Sequence, residues 1–267
     1  MDQPAPRIDP TGIDAFKPPE IARRIEDAGV AKAALPALQL ATLSVLAGVF
    51  IALGAAAYAA VMTGVDMGHG PTRFLGGVVF SLGLILVVVA GAELFTGNAL
   101  IVMAWVDRKV AFGALLRNWT YTYAGNFLGA VAIVFLMYVA GLLEGANGDT
   151  VQKIAEAKTS LGPIEALVRG ILCNTLVCLA VWLTFAARSV ADKILAIVFP
   201  IAGFVLMGFE HSIANMYLIP AGWAAGANVS IAGLLGNLVP VTIGNIIGGA
   251  GGVALTYRLA YGATLRK

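Results

Sequence analysis

Two short polar stretches interrupt an otherwise apolar sequence, and both contain side chains that could do chemistry. They are GAELFTGNAL at 91–100 and GFEHSIANMY at 208–217. Within them, only His211 can gain or lose a proton near neutral pH. Beside the Thr96 hydroxyl it could donate a hydrogen bond to a small anion, or protonate it so that the neutral acid crosses a low-dielectric path at lower cost. The alternative is a neutral imidazole that satisfies local hydrogen bonds.

The two carboxylates of these stretches, Glu93 and Glu210, need partners if they lie at membrane depth. Each could accept backbone N–H groups at the end of a broken helix, and Glu210 could also contact Asn245 or Lys158. Capping of a half-helix without any role in transport is an equally open interpretation for Glu93. Lys158 lies in the sequence AEAKTSLGP, where it would raise the local concentration of anions or be an ordinary solvated lysine.

The two polar stretches belong to a repeated pattern. Both follow G-x-E-x-x-x-x-N with an offset of 117 residues, so that Gly91, Glu93 and Asn98 match Gly208, Glu210 and Asn215. A second pair of similar segments, GNFLGA at 125–130 and GNIIGG at 244–249, has an offset of 119 residues. The chain is therefore predicted to use a three-helix unit twice. An odd number of spans per unit turns the second copy over, which predicts inverted repeats about an axis in the membrane plane.

In each copy the polar stretch falls in the second span, which predicts that spans two and five are broken. Backbone freed at membrane depth is tolerated only where it is buried in protein or lines a watery cavity, so two facing breaks predict a pore. The ends of the broken helices would direct partial charges at whatever occupies the pore. For the glycines of GNFLGA, close helix packing is the preferred interpretation over contact with a substrate.

The composition places these elements in a lipid bilayer. Of the 267 residues, 59% are hydrophobic and only 12% are charged, unlike a soluble globular domain. Charge-free runs at 33–65, 118–143 and 170–187 can each cross a bilayer as a helix of roughly 20 residues, and six spans are predicted in all. The net charge of +2 implies no nucleic-acid partner. Cys173 and Cys178 match no metal-binding pattern and are interpreted as small buried hydrophobes, and no metal or cofactor is expected.

The distribution of basic residues predicts the orientation. With the N-terminus in the cytoplasm, thirteen basic residues lie inside and four outside, which favours cytoplasmic N- and C-termini. The predicted organisation is a cytoplasmic segment at 1–35, a six-span channel domain at 36–260 with repeats at about 36–143 and 163–258, and a tail at 261–267. In the first segment, EIARRIEDAGVAKAAL is typical of an amphipathic helix that lies at the membrane surface, packs on a neighbour or is simply solvated.

The sequence resembles the formate/nitrite transporter family, and most closely its bacterial formate channels. The resemblance runs from about residue 18 to 260 and is carried by FSLGLILVVVAGAELFT, AKTS, GILCNTLVCLAVW, GFEHSIANMYLIP and PVTIGNIIGGA. It implies a homopentamer of six-span protomers with an aquaporin-like fold in the bacterial cytoplasmic (inner) membrane. Each protomer would carry its own pore for small monovalent anions such as formate, nitrite or hydrosulfide, often with proton coupling.

The resemblance also implies roles for individual residues. It places His211 at the centre of the pathway, opposite Thr96 and near Asn174. It implies a polar network of Lys158, Glu210 and Asn245. It further implies two hydrophobic constrictions, namely Phe80, Leu84 and Phe204 toward the outside and Leu94, Phe95 and Val177 nearer the cytoplasm. Residues assigned to helix breaks and packing are Gly91, Glu93, Gly97, Asn98, Gly208 and Asn215. Formate channels have small hydroxylated residues where this chain has Gly97 and Asn98.

Three classes of function follow from these features. The leading one is a channel or proton-coupled carrier for a small monovalent anion, formate first, with nitrite and hydrosulfide as alternatives. A neutral-solute channel for ammonia or water is disfavoured because paired NPA boxes and a second membrane-depth histidine are absent from the sequence. An enzyme is not expected, because Ser212 and His211 are adjacent and would point about 100° apart on a helix, and no GxSxG motif occurs.

Overall fold

The structure, a computed structural model, describes residues 14–265 and forms ten continuous helical stretches within that range. They are α1 Pro18–Ala33, α2 Ala37–Val61, α3 Gly70–Gly91, α4 Gly97–Val106, α5 Phe112–Val139, α6 Gly145–Thr159, α7 Pro163–Ala186, α8 Val190–Leu206, α9 Ser212–Ala224 and α10, which covers 231–265. These residues include no strand. Residues 1–13 of the predicted cytoplasmic segment and 266–267 of the predicted tail lie outside the described residues.

Five of these helices, α2, α3, α5, α7 and α10, are long and apolar enough to cross a membrane. Their mean hydropathy lies between 1.6 and 2.5, and the shortest has 22 residues, which suffices for a hydrocarbon core about 30 Å thick. The apolar sequence at 190–224 is instead divided between the shorter helices α8 and α9. The prediction of an all-α, multi-pass membrane protein is confirmed at this level.

Two helical interruptions occupy equivalent places in the chain. Residues 92–96 separate α3 from α4, and residues 207–211 separate α8 from α9. Gly91 and Gly208 have φ angles of 90° and 73°, a left-handed conformation that glycine adopts without a Cβ clash. These are the two glycines of the repeated G-x-E pattern, so the pattern encodes the backbone reversal that ends each helix.

The backbone closes both helix ends in the same way. The Ala92 N–H donates to the Val87 carbonyl at 3.0 Å, and the Phe209 N–H donates to the Phe204 carbonyl at 3.0 Å. Both bonds reach back five residues and are related by the 117-residue offset. Each satisfies one of the carbonyls that a helix end leaves without an intrahelical partner.

The most extensive helix–helix contacts are those of α2 with α5 and of α7 with α10. Glycines bring the backbones together at both interfaces. A Cβ atom added to Gly129 would overlap the carbonyl oxygen of Val45, and one added to Gly248 would overlap that of Ile171. Small residues permit such close approach of membrane helices. The packing interpretation of the GNFLGA motif is therefore confirmed, and the GNIIGG motif packs in the same way.

The amphipathic helix of the N-terminal segment packs on its neighbours. Helix α1 buries Ile21, Ala22 and Ile25 in a cluster with residues of α4 and α10. A Cβ added to Gly29 would stand 3.4 Å from Ala104 Cβ, an ordinary van der Waals distance. Of the interpretations left open by the sequence, packing on a neighbour describes the structure.

We predict that Gly129→Ala destabilises the protein, because a methyl group cannot fit against the Val45 carbonyl unless α2 and α5 move apart. Forcing extra volume into a packed interface costs about 1–3 kcal/mol. Thermal unfolding of the purified protein in detergent measures the effect. Gly113→Ala in the same helix is the matched control, since no atom lies within 4 Å of its added Cβ. Equal unfolding temperatures for the two variants would contradict the packing role.

Candidate functional site

The two helical interruptions meet at Thr96 and His211. Thr96 Oγ1 lies 2.9 Å from His211 Nε2, and both side chains are buried. His211 Nδ1 accepts the backbone N–H of Ala214 at 3.1 Å. Because a backbone N–H can only donate, Nδ1 carries no proton, and the neutral ring holds its proton on Nε2. His211 therefore donates to the Thr96 hydroxyl, whose own proton remains available to a further acceptor.

Both residues of this pair stand immediately before a helix. Thr96 precedes α4 and His211 precedes α9. The first turns of a helix present N–H groups that lack intrahelical acceptors and carry a partial positive charge. Two such ends converge on the Thr96–His211 pair, so the centre of the molecule favours a negatively charged or hydrogen-bond-accepting occupant.

Asn174 lies beside the central pair and connects it to α10. Its Nδ2 donates to the Thr96 carbonyl at 3.1 Å and to the Asn245 carbonyl at 2.6 Å. The thiol of Cys178 also donates to the Thr96 carbonyl, at 3.3 Å. Cys173 and Cys178 are free and fully buried, which agrees with their interpretation as small buried residues. These contacts fix the backbone of the first interruption.

A closed ring of polar side chains surrounds Glu210. Lys158 Nζ donates to Glu210 Oε1 at 2.8 Å. Asn215 Nδ2 donates to Glu210 Oε2 at 2.6 Å and to Asn237 Oδ1 at 2.7 Å. Asn237 Nδ2 completes the ring by donating to the Lys158 carbonyl at 2.8 Å. The buried carboxylate is thus paired with a cation and hydrogen-bonded at both oxygens.

The same ring occurs around Glu93. Lys32 Nζ donates to Glu93 Oε1 at 2.5 Å, and Asn98 Nδ2 donates to Glu93 Oε2 at 2.7 Å. Asn98 also donates to Asn118 Oδ1 at 2.9 Å, and Asn118 donates to the Lys32 carbonyl at 3.2 Å. Every bond has its counterpart in the Glu210 ring. The sequence offsets between counterparts are 126 residues for the lysines, 117 for the glutamates and 119 for the last asparagines.

Asn245 joins the predicted network through the Glu210 backbone and not through the carboxylate. Its Nδ2 donates to the carbonyls of Gly170 at 2.8 Å and Glu210 at 3.0 Å, and its Oδ1 accepts the Ser212 N–H at 2.9 Å. Asn126 makes the three equivalent bonds in the first half, at 2.7, 3.0 and 2.9 Å. Each asparagine therefore clamps one helical interruption between two long helices.

Three ring members, Lys32, Asn118 and Asn237, were not among the sequence-predicted site residues. A signal for the lysines exists, because AKAALP at 31–36 and AKTSLGP at 157–163 share A-K-x-x-L with an offset of 126. The same offset relates α1 to α6. The structural equivalence of the two halves thus begins with α1, upstream of the predicted repeat boundary at residue 36.

Two cavities flank the central pair and share no lining residue. The Lys158 cavity has a volume of about 230 Å³ and is lined by Lys158, His211, Phe80 and Phe204, among others. The Lys32 cavity has a volume of about 450 Å³, and its lining includes Lys32 and the residues Glu93, Leu84, Leu94, Gly91, Gly97 and Asn98. Each cavity thus contains a lysine, and the apolar residues Phe80 and Phe204 of one cavity and Leu84 and Leu94 of the other are buried. These four side chains are called the apolar layer.

The residues predicted to form constrictions are all buried, but they have different surroundings. The Phe80 and Phe204 rings meet edge to face at 5.6 Å, and the Phe204 ring stacks on His211 at 6.0 Å. Leu84 and Leu94 lie on the side of the Lys32 cavity. Phe95 and Val177 line neither cavity, and the Phe95 ring packs 5.0 Å from that of Tyr123.

Helix α1, which carries Lys32, is held in place by a buried carboxylate of its own. Glu26 is fully buried, and its Oε2 accepts a hydrogen bond from Lys109 Nζ at 2.7 Å. Burial raises the pKa of the Glu26 carboxyl. Close by, Asp107 pairs with Arg258 of α10. The Glu26–Lys109 pair fixes α1 to the loop after α4, the Asp107–Arg258 pair fixes that loop to α10, and together they position Lys32 at Glu93.

Comparisons with known proteins agree with these observations. The family model described as formate/nitrite transporter matches residues 19–259. The chain belongs to the formate/nitrite transporter family. The resemblance seen in the sequence is thereby confirmed, and a family of transporters agrees with the expectation that the chain is not an enzyme.

Individual relatives cover nearly the whole chain. The formate channel FocA of Escherichia coli (strain K12) is 42% identical over 93% of this chain and 95% of the relative. A solved pentameric formate channel with formate bound has a TM-score of 0.77 and 40% identity, and covers 84% of this chain and 97% of that one. A solved FNT family ion channel has a TM-score of 0.85 and 29% identity over 90% and 98% of the two chains.

We predict that Lys158→Met lowers the free energy of unfolding by about 3–5 kcal/mol, because it leaves the buried Glu210 carboxylate unpaired. The double variant Lys158→Met/Glu210→Gln should recover most of this loss, since no uncompensated charge remains. Lys32→Met should cost less, because the Lys32 side chain is 33% exposed against 16% for Lys158. Denaturant unfolding in detergent measures all three. A double variant as unstable as Lys158→Met would refute the pairing argument.

Proposed function

We propose that this chain is a channel that passes formate and similar small monovalent anions across a membrane. The observation that carries the proposal is the Thr96–His211 pair, on which two helix N-termini converge between two lysine-containing cavities. A hydroxyl proton, two positive helix ends and two flanking cations suit a small anion. The relatives named as formate channels support the choice of formate.

The proposal includes six membrane crossings arranged as two inverted three-helix repeats with an aquaporin-like fold. In this arrangement α3 with α4 forms the broken second span, and α8 with α9 forms the broken fifth span. The bond-for-bond equivalence of the Glu93 and Glu210 rings supports it, because such correspondence is expected of two copies of one unit. The channel domain would cover 36–260, with repeats at about 36–143 and 163–258.

We also propose a homopentamer in the bacterial cytoplasmic membrane with both chain termini inside. The solved relative described as pentameric supports the assembly. The thirteen-to-four distribution of basic residues supports the orientation. The Lys158 cavity then faces the outside, and the Lys32 cavity faces the cytoplasm.

The anion would cross the apolar layer together with a proton. A bare ion is expensive between Phe80, Phe204 and Leu94, whereas its neutral acid is not. His211 is an unsuitable store for that proton, because adding it to Nδ1 would break the bond from Ala214. The pair instead offers the hydroxyl proton of Thr96 as a hydrogen-bond donor to the carboxylate oxygen. The travelling proton would then come from the cavity with the anion.

We predict that proteoliposomes containing the protein take up labelled formate faster as the outside pH falls. Thr96→Val should reduce this uptake roughly two- to tenfold, the factor that corresponds to one lost hydrogen bond. Thr42→Val is the matched control, because Thr42 is exposed and its hydroxyl bonds only within α2. Equal flux of glycerol and water, with no flux of formate, would refute the anion proposal.

We further predict that His211→Asn weakens the pH dependence of formate uptake while the protein remains folded. Asparagine keeps polar atoms at the centre but loses the fixed donor that orients Thr96. Uptake is measured over a series of outside pH values with the inside pH held constant. An unchanged pH profile would show that the orientation of Thr96 by His211 has no part in proton coupling, and it would leave the channel proposal intact.

A further inference from the structure

Two arginine side chains in the Lys158 cavity have no part in the pathway described above. Arg169 Nη1 donates to the Gly208 carbonyl at 3.1 Å, and Arg73 Nη2 lies 3.4 Å from the Val205 carbonyl. A Cβ added to Gly208 would lie 2.8 Å from Arg73 Nη2 and 3.7 Å from Arg169 Nη1. Two guanidinium groups from different helices thus lie against one glycine.

The charge of this cavity is not balanced. Arg73, Lys153, Lys158 and Arg169 line it, and the only carboxylate in the lining is Glu210, which is bonded to Lys158. Arg169 has an i,i+4 partner, Glu165, at 2.5 Å outside the lining. Within residues 14–265, neither Arg73 nor Lys153 forms a salt bridge. An excess of positive charge in a confined space raises the local concentration of anions.

The other cavity provides an internal comparison. The Glu210 N–H donates to the Arg169 carbonyl at 3.2 Å, and the Glu93 N–H donates to the Leu43 carbonyl at 3.1 Å. Leu43, which lines the Lys32 cavity, is therefore the counterpart of Arg169. No atom lies within 4 Å of a Cβ added to Gly91, the counterpart of Gly208. The arginine pair is an addition to one side and not a requirement of the repeated fold.

We propose that Arg73 and Arg169 form a binding site for small carboxylates in the Lys158 cavity, ahead of Phe80 and Phe204. A guanidinium group presents parallel N–H donors that match the two coplanar oxygens of a carboxylate, and it remains charged at any physiological pH. This inference rests on the proposed anion transport and adds sidedness to it. Formate reaching the Lys158 side would half-saturate transport at a lower concentration than formate reaching the Lys32 side.

The competing explanation is purely structural. Both guanidinium groups contact carbonyl groups at the C-terminal end of α8, where a cation is favourable in any case. A residue that only caps α8 would change folding or maximal flux. A residue that binds the anion would change the half-saturating concentration on one face.

The test is formate flux measured from each face, in right-side-out and inside-out vesicles. Arg169→Leu introduces the residue of the equivalent position. It should raise the half-saturating formate concentration on the Lys158 side about tenfold, the factor for a lost hydrogen bond to a charged group. The maximal flux and the half-saturation on the Lys32 side should not change. Arg169→Lys should give an intermediate increase, because it keeps the charge but loses the planar donor pair.

Arg73→Gln is a second variant that guards against misfolding, since the single bond of Arg73 to a carbonyl is long. It should show the same one-sided increase as Arg169→Leu. Wild-type transport with unaltered half-saturation in all three variants would overturn the carboxylate site alone. An equal rise of the half-saturating concentration on both faces would also overturn the carboxylate site in favour of α8 capping. A loss of maximal flux alone would do the same. A wild-type protein that moves no formate would overturn this site together with the proposed function.

Discussion

The architecture depends on the need to compensate two buried carboxylates at equivalent places in the two halves of the molecule, Glu93 and Glu210. An unpaired charge in a low-dielectric interior is expensive, and removal of its partner is destabilising. Glu93 and Glu210 are each satisfied by one lysine and one asparagine, with a second asparagine closing the ring back to the lysine. Because the other members of each ring come from three different helices, compensation of the charge also fixes the helices around each interruption. The central Thr96–His211 contact depends on that arrangement.

The sequence was sufficient to predict those features that a local residue pattern encodes. The G-x-E-x-x-x-x-N motif identified both carboxylates and their nearest asparagines, and the charge-free runs at 33–65, 118–143 and 170–187 fall on the long apolar helices α2, α5 and α7. Lys32 was not predicted as a site residue, because its offset from Lys158 is 126 residues, whereas the motif repeats with an offset of 117 residues. Connections between helices differ in length between the two halves, so no single period aligns all partners.

Side-chain surroundings were the other limit of sequence-based reasoning. The resemblance assigned hydrophobic residues to an outer and an inner constriction, but the sequence alone did not determine which cavity each side chain lines. Phe204 stacks on His211, whereas Phe95 packs against Tyr123 and lines neither cavity. Hydropathy is identical for two phenylalanines. Only the crossing of the long helices determines which cavity each ring reaches, and glycine contacts such as that of Gly129 set this crossing.

The equivalence of α1 and α6 bears on how such a molecule could arise. Both helices end shortly after the lysine that pairs with a buried glutamate, and each is followed by a long apolar helix. Under the proposed repeat arrangement, the correspondence between the two halves therefore extends over five helices, including the amphipathic helix that precedes the membrane-spanning part of each repeat. Under the proposed inverted arrangement, an ancestral polypeptide of that length would have needed to insert into the bilayer in both orientations and pair with itself. Fusion of two copies would then leave each face free to diverge, and Arg169 at the position equivalent to Leu43 is a difference of this kind.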